Sequence, residues 1–143
     1  MPDADLALAT LVAAGGPLAP RRALLDAAGD ARSALRDPAL WTACGLGGAQ
    51  IAALRRPDAS MLQATAHWLS TPSHRLLACT HPDYPPALRN AASPPLALCV
   101  AGDPALLWRP AIAVVGSRGP TPAGREHAAE FARAFVGAGF VVG

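Results

Sequence analysis

The sequence predicts an α/β chain: a small helical domain over residues 1–70, followed by a strand-containing domain over residues 71–143. Three observations carry this division. Residues up to Leu69 place apolar side chains at helical spacing between capping residues and glycines. Ser70-Thr71-Pro72-Ser73 then interrupts the pattern with turn formers. Further on, Ile112-Ala113-Val114-Val115 runs without polar alternation into Gly116, and Thr121-Pro122 opens a helix, the order of a parallel strand, a tight loop and a crossover helix.

The first helix starts at Asp3 or Asp5 and runs to about Ala14, with Leu6, Leu8, Leu11 and Val12 as its apolar stripe, until Gly15-Gly16-Pro17 ends it. A second spans about Ala19 to Ala28, with Leu24, Leu25 and Ala28 inward, Arg21 and Arg22 exposed, and Gly29 at the C′ position. Asp30 to Leu35 forms a short third helix, and Asp37-Pro38 opens a fourth through Trp41 and Ala43. Cys44-Gly45-Leu46-Gly47-Gly48 makes a glycine hairpin into a fifth. Asp58 or Ser60 caps a sixth, through Leu62, Ala66 and Leu69. Trp41 and Trp68 are expected as core anchors.

In the second half, Arg75 to Cys79 reads as a strand, followed by a proline-rich turn around Tyr84, one helical turn from Pro86 to Asn90, and a strand from Leu96 to Val100. Pro104 to Leu107 is a short turn. Ile112–Val115 is the expected central strand, covered on both faces. The helix from about Pro122 to Gly137 sets Gly124, Ala128, Phe131, Ala132 and Phe135 on one face, and Phe140-Val141-Val142 begins the next strand. Because that second strand has barely begun at Gly143, the expectation is an N-terminal part of a longer protein, with apolar strand faces left open and prone to aggregation.

Composition narrows the chemistry. All 12 basic residues are arginine, which excludes a P-loop lysine, a Schiff-base lysine and a lysine general base within this sequence. A formal charge of +2 is too mild to imply a nucleic-acid partner by itself. Cys44, Cys79 and Cys99 lack any C-x-x-C spacing and are expected as buried, reduced thiols. His74, Cys79 and His81 lack a fourth ligand and a recognised metal spacing, so the histidines are expected as solvated loop residues. The acidic N-terminus is no signal peptide, no apolar run reaches membrane-spanning length, and a cytoplasmic location with no membrane contact is expected.

The loop Gly116-Ser117-Arg118 before Thr121-Pro122 has two readings. Free amides, the positive end of a helix dipole and a planar guanidinium together suit a phosphate. Equally, strand–glycine–helix turns serve purely structural ends, and neither a G-x-G-x-x-G nor a G-K-[ST] fingerprint occurs here. No metal and no cofactor are expected.

Taken in order, Asp83-Tyr84-Pro85-Pro86-Ala87-Leu88, Pro94-Pro95-Leu96, Gly102-Asp103, Val114-Val115-Gly116-Ser117-Arg118, Thr121-Pro122-Ala123-Gly124-Arg125-Glu126 and Ala138-Gly139-Phe140-Val141-Val142 resemble the DNA-processing protein A (DprA) family. The resemblance implies a sterile-alpha-motif-like (SAM-like) helical domain at 1–70 and the N-terminal part of an extended Rossmann-like, DNA-binding domain at 71–143. It further implies single-stranded DNA and the RecA recombinase as partners, a homodimer when full length, and no catalysis. The family's G-S-R arginine falls on Arg118, with Gly116 and Ser117 beside it and Arg125 as a secondary phosphate contact. The chain departs from the family at Gly15-Gly16-Pro17, where a P-G-I-G-like turn is usual, and it ends before the expected S-G-x-A-x-G-I-D segment.

Three functions follow. The first is a recombination mediator that binds single strands during natural transformation, with salt-dependent and nearly sequence-independent affinity. The second is an enzyme, a Rossmann-like nucleotide phosphoribohydrolase of lysine-decarboxylase-like type, whose P-G-G-x-G-T-x-x-E signature is absent from these residues. The third is a helix-hairpin-helix DNA module resting on residues 40–55.

Overall fold

A computed structural model describes residues 4–143, so the proposed Asp3 start lies outside the described residues. The chain separates into two compact units, residues up to Asp103 and Pro104–Gly143. Both mix helix with small sheets.

The first unit opens with six helices in succession: α1 (Ala4–Ala13), α2 (Leu18–Ala28), α3 (Ala31–Arg36), α4 (Pro38–Ala43), α5 (Gly48–Arg55) and α6 (Ala59–Leu69). Their starts follow from local chemistry. Asp30 accepts from the Ser33 amide, Asp37 from Ala39, and Asp58 from Ser60 and Met61. Gly29 ends α2 at φ +81°, a conformation costly for any other residue. At the hairpin, Gly45 turns at φ +79° and Leu46 drops into the core, its amide donating to Trp41 O.

Strand β1 (His74–Ala78) pairs antiparallel with β2 (Ala97–Ala101), with Leu76 opposite Cys99, and α7 (Pro86–Arg89) lies between them in sequence. Cys79, Tyr84 and Leu96 belong to the same core as Leu8, Leu11, Leu24, Leu25 and Trp41, so this sheet is sealed by the helices. Ser70–Ser73 is a turn between α6 and β1 inside this unit. Tyr84 is fully buried and donates its hydroxyl to Pro95 O at 2.8 Å, which clasps the Tyr-Pro turn to the Pro-Pro-Leu segment.

Several expectations are corrected here. Arg21 is buried, not exposed. Its guanidinium donates to Val12 O at 2.7 Å and Gly16 O at 3.0 Å, with longer contacts to Leu11 O and Pro17 O. The open carbonyls at the end of α1 attract it, and burial lowers its pKa. Buried Gln50 completes the arrangement, donating to Gly15 O and Pro17 O while accepting from the Gly47 amide. Gly16 must be glycine, since its φ is +66° and an added Cβ would press on Gln50. Val12, expected in the apolar stripe, is exposed.

Trp68 is half-buried and stacks on His74 at 4.3 Å between centroids, so His74 is a packing residue, not a solvated one. Of the thiols only Cys79 is buried; Cys44 is half-buried and Cys99 is exposed. Burial raises the Cys79 pKa.

The second unit contains a 3-10 turn (Pro104–Trp108), β3 (Ala111–Ile112), α8 (Pro122–Gly137) and β4 (Val141–Val142). Strands β3 and β4 run parallel, joined by α8 in a β-α-β crossover. The expected strand Ile112–Val115, covered on both faces, is corrected: regular pairing stops at Ile112, and Val115 is 88% exposed. Two strands and one helix supply one layer over the sheet, too little to close a core around it. Among the described residues, no helix is long and apolar enough to cross a membrane.

Candidate nucleic-acid interface

The site is built where β3 leads into α8. Beyond Ile112 the chain stays extended through Val114, whose amide donates to Gly143 O at 2.8 Å. Gly116 then frees the backbone, and Ser117, Arg118 and Gly119 form an exposed loop. The Gly119 amide donates to Ser117 Oγ at 3.2 Å, which folds the loop back on itself. The Ser117 hydroxyl proton remains available to an acceptor. Thr121 caps α8 by accepting from the Gly124 amide at 3.1 Å, and Pro122 occupies the first turn. Gly124 lies so close to that hydroxyl that a Cβ would sit 3.2 Å from it.

A cleft of about 530 Å³ opens over this corner, walled by Val115, Gly116, Ser117, Thr121, Gly124 and Arg125 among others. Among the described residues, the amides of Gly116, Ser117 and Arg118 donate to no protein acceptor. With the α8 dipole they give the cleft a positive floor.

Of the residues singled out in the sequence, the cleft unites Gly116, Ser117 and Arg125. Arg118 stands exposed on the same loop but outside the cleft wall. The inward cation is therefore Arg125, one turn into α8. Neither arginine forms an ion pair among the described residues.

A second cleft, of about 370 Å³, lies along the outer flank of α8 between Pro120, Pro122, Arg125, Glu126, Ala129 and Arg133. The sequence reading assigns Arg133 no site role. Its position eight residues after Arg125, with Ala129 midway, is the signal that identifies it, since residues four apart on a helix share a face.

His74, Cys79 and His81 are not brought together as a site. His74 is stacked on Trp68 with Nδ1 2.8 Å from Trp68 O, His81 Nδ1 accepts from the Asp83 amide, and Cys79 lies in the core. Among the described residues, no three side chains of histidine, cysteine, aspartate or glutamate are grouped to hold a metal ion.

A search of curated proteins returned no match to the chain. The family model of DNA recombination-mediator protein A matches residues 75–142, from β1 through β4, and so takes in the Tyr84–Pro95 clasp and the whole Gly116–Arg125 corner. Over that stretch the chain is similar to the DNA recombination-mediator protein A family.

Proposed function

We propose that this chain acts as a single-stranded-DNA-binding recombination mediator, without chemistry of its own, that protects incoming strands and loads RecA during natural transformation. In this reading residues 1–70 are a SAM-like domain and residues 71–143 the first part of a Rossmann-like domain. The full-length protein works in the cytoplasm as a homodimer. Phosphates are received at the amides of Gly116, Ser117 and Arg118, with Arg118 meeting the strand from outside the cleft and Arg125 from within.

The family match over residues 75–142 carries the proposal. The corner supports it, because it offers donors and cations but no nucleophile with a positioned base. Phosphate contacts fix the register of a strand without reading its sequence, so affinity is expected to fall steeply with salt and to vary little with base composition.

The test is anisotropy of a labelled oligodeoxynucleotide over a salt series, comparing the chain with Arg118→Ala and Arg125→Ala. Each substitution should weaken binding and lower the salt slope by about 0.7 per lost contact on a single strand. Unchanged affinity and slope in both variants would remove the phosphate role from this corner.

A further inference from the structure

We infer that the outer flank of α8 is a second phosphate-binding track, on which Arg125 and Arg133 hold successive parts of one single-stranded DNA backbone. The inference rests on the reading above and extends it beyond the loop. Arg125 walls both clefts, so a strand leaving the 530 Å³ cleft meets the 370 Å³ cleft without crossing another surface. Arg125, Ala129 and Arg133 follow one another at intervals of four, each step rising about 6 Å along the helix. The two guanidiniums therefore address different phosphates of an extended chain. Between them Ala129 keeps the floor shallow, while Pro120 and Pro122 form a stiff wall at the loop end.

Charge and position agree with this use. Phe131 and Phe135, stacked at 6.2 Å, project from another side of α8, so the arginine flank is a separate surface of the helix. Among the described residues no carboxylate lies within ion-pair distance of Arg125 or Arg133. Glu126 is the one acid on the cleft wall, and its charge opposes an anion there. The track should therefore bind better once that carboxylate is neutralised.

The experiment uses the whole chain with oligothymidylates of about 4 and about 16 nucleotides, which bracket the site sizes of single-strand grooves. Arg133→Ala should leave the short oligomer's affinity unchanged, weaken the long one roughly three- to tenfold, and lower its salt slope by about 0.7. Arg133→Lys should restore most of the loss, because a phosphate accepts a point charge. Glu126→Gln should tighten the long oligomer about twofold while the short one changes less. Equal affinity of Arg133→Ala and the parent chain for the long oligomer, with Arg118→Ala or Arg125→Ala still weakening the short one, overturns the track and leaves the loop reading intact. Binding that ignores all of these substitutions overturns both. Tighter binding of duplex than of single strand by the flank, lost in Arg133→Ala, would reassign it to a different nucleic acid and overturn the inference as stated.

Discussion

Residues 4–103 and residues 104–143 both carry apolar side chains at helix and strand spacing, and they dispose of them in opposite ways. In the first region Leu11, Leu24, Leu25 and Tyr84 are fully buried, and helices from α1 to α5 share one core with the β1–β2 sheet. In the second region no residue is buried: Val115, Phe131 and Val136 are 88%, 62% and 59% exposed, and Trp108 is more than half exposed. The Phe131–Phe135 stack and the edge-on Phe135–Phe140 contact are its chief aromatic packing. A unit of about forty residues buries too small a share of its surface to close a core. The difference teaches that a well-formed β-α-β turn and a stable hydrophobic core are separate achievements. The candidate interface sits in the part that has only the first.

Four measurements can break or sharpen this contrast. The largest effect is expected in native-state hydrogen exchange, where amides of α1 and α2 should approach the protection of global unfolding and those of α8 should exchange through local opening. Equal protection in both regions would end the comparison. Next come matched truncations: Leu24→Ala should cost about 2–5 kcal/mol by urea unfolding. Phe131→Ala, at a largely exposed position, should stay within about 0.5 kcal/mol.

Arg21→Met keeps the apolar stem but withdraws the donors from Val12 O and Gly16 O, and should cost about 1–3 kcal/mol. A neutral outcome would mean that water replaces the guanidinium at the end of α1.

The smallest effects concern the helix caps. Asp30→Ala should cost about 1 kcal/mol. The hydrogen bonds from the Ser33 amide and hydroxyl hold the Asp30 carboxyl below its ordinary value of 3.8. Its folded-state pKa is thus depressed, so its contribution is complete above the unfolded value and is lost as pH falls through the folded one. An acid titration of stability should flatten below pH 3.8 in Asp30→Ala relative to the parent. Thr121→Ala should fray the first turn of α8 with almost no change in the main unfolding transition, because that helix contributes little to the core.

Much of the local structure was legible because its causes are local. The aspartates at 30, 37 and 58, the threonine at 121, the prolines at 38 and 122 and the glycine at 29 each act within one turn, and each stands at the helix end it predicts. The Gly116–Arg118 loop was legible for the same reason, as the joint between an apolar run and a capped helix. What failed were statements about distant neighbours. Arg21 reads as a surface cation until the end of α1 is placed beside it, and Trp68 reads as core until His74 is found under its ring.

By itself, then, the sequence determined the helices, their ends and the β-α-β turn that carries Gly116, Ser117 and Arg125. Only the tertiary structure decided that Val115 stays exposed, that Arg118 stands outside the cleft while Arg125 enters it, and that Arg133 shares a flank with Arg125. The reason is one of range. Capping and backbone preference act over a few residues, whereas burial and the shape of a cleft depend on what the rest of the chain brings alongside.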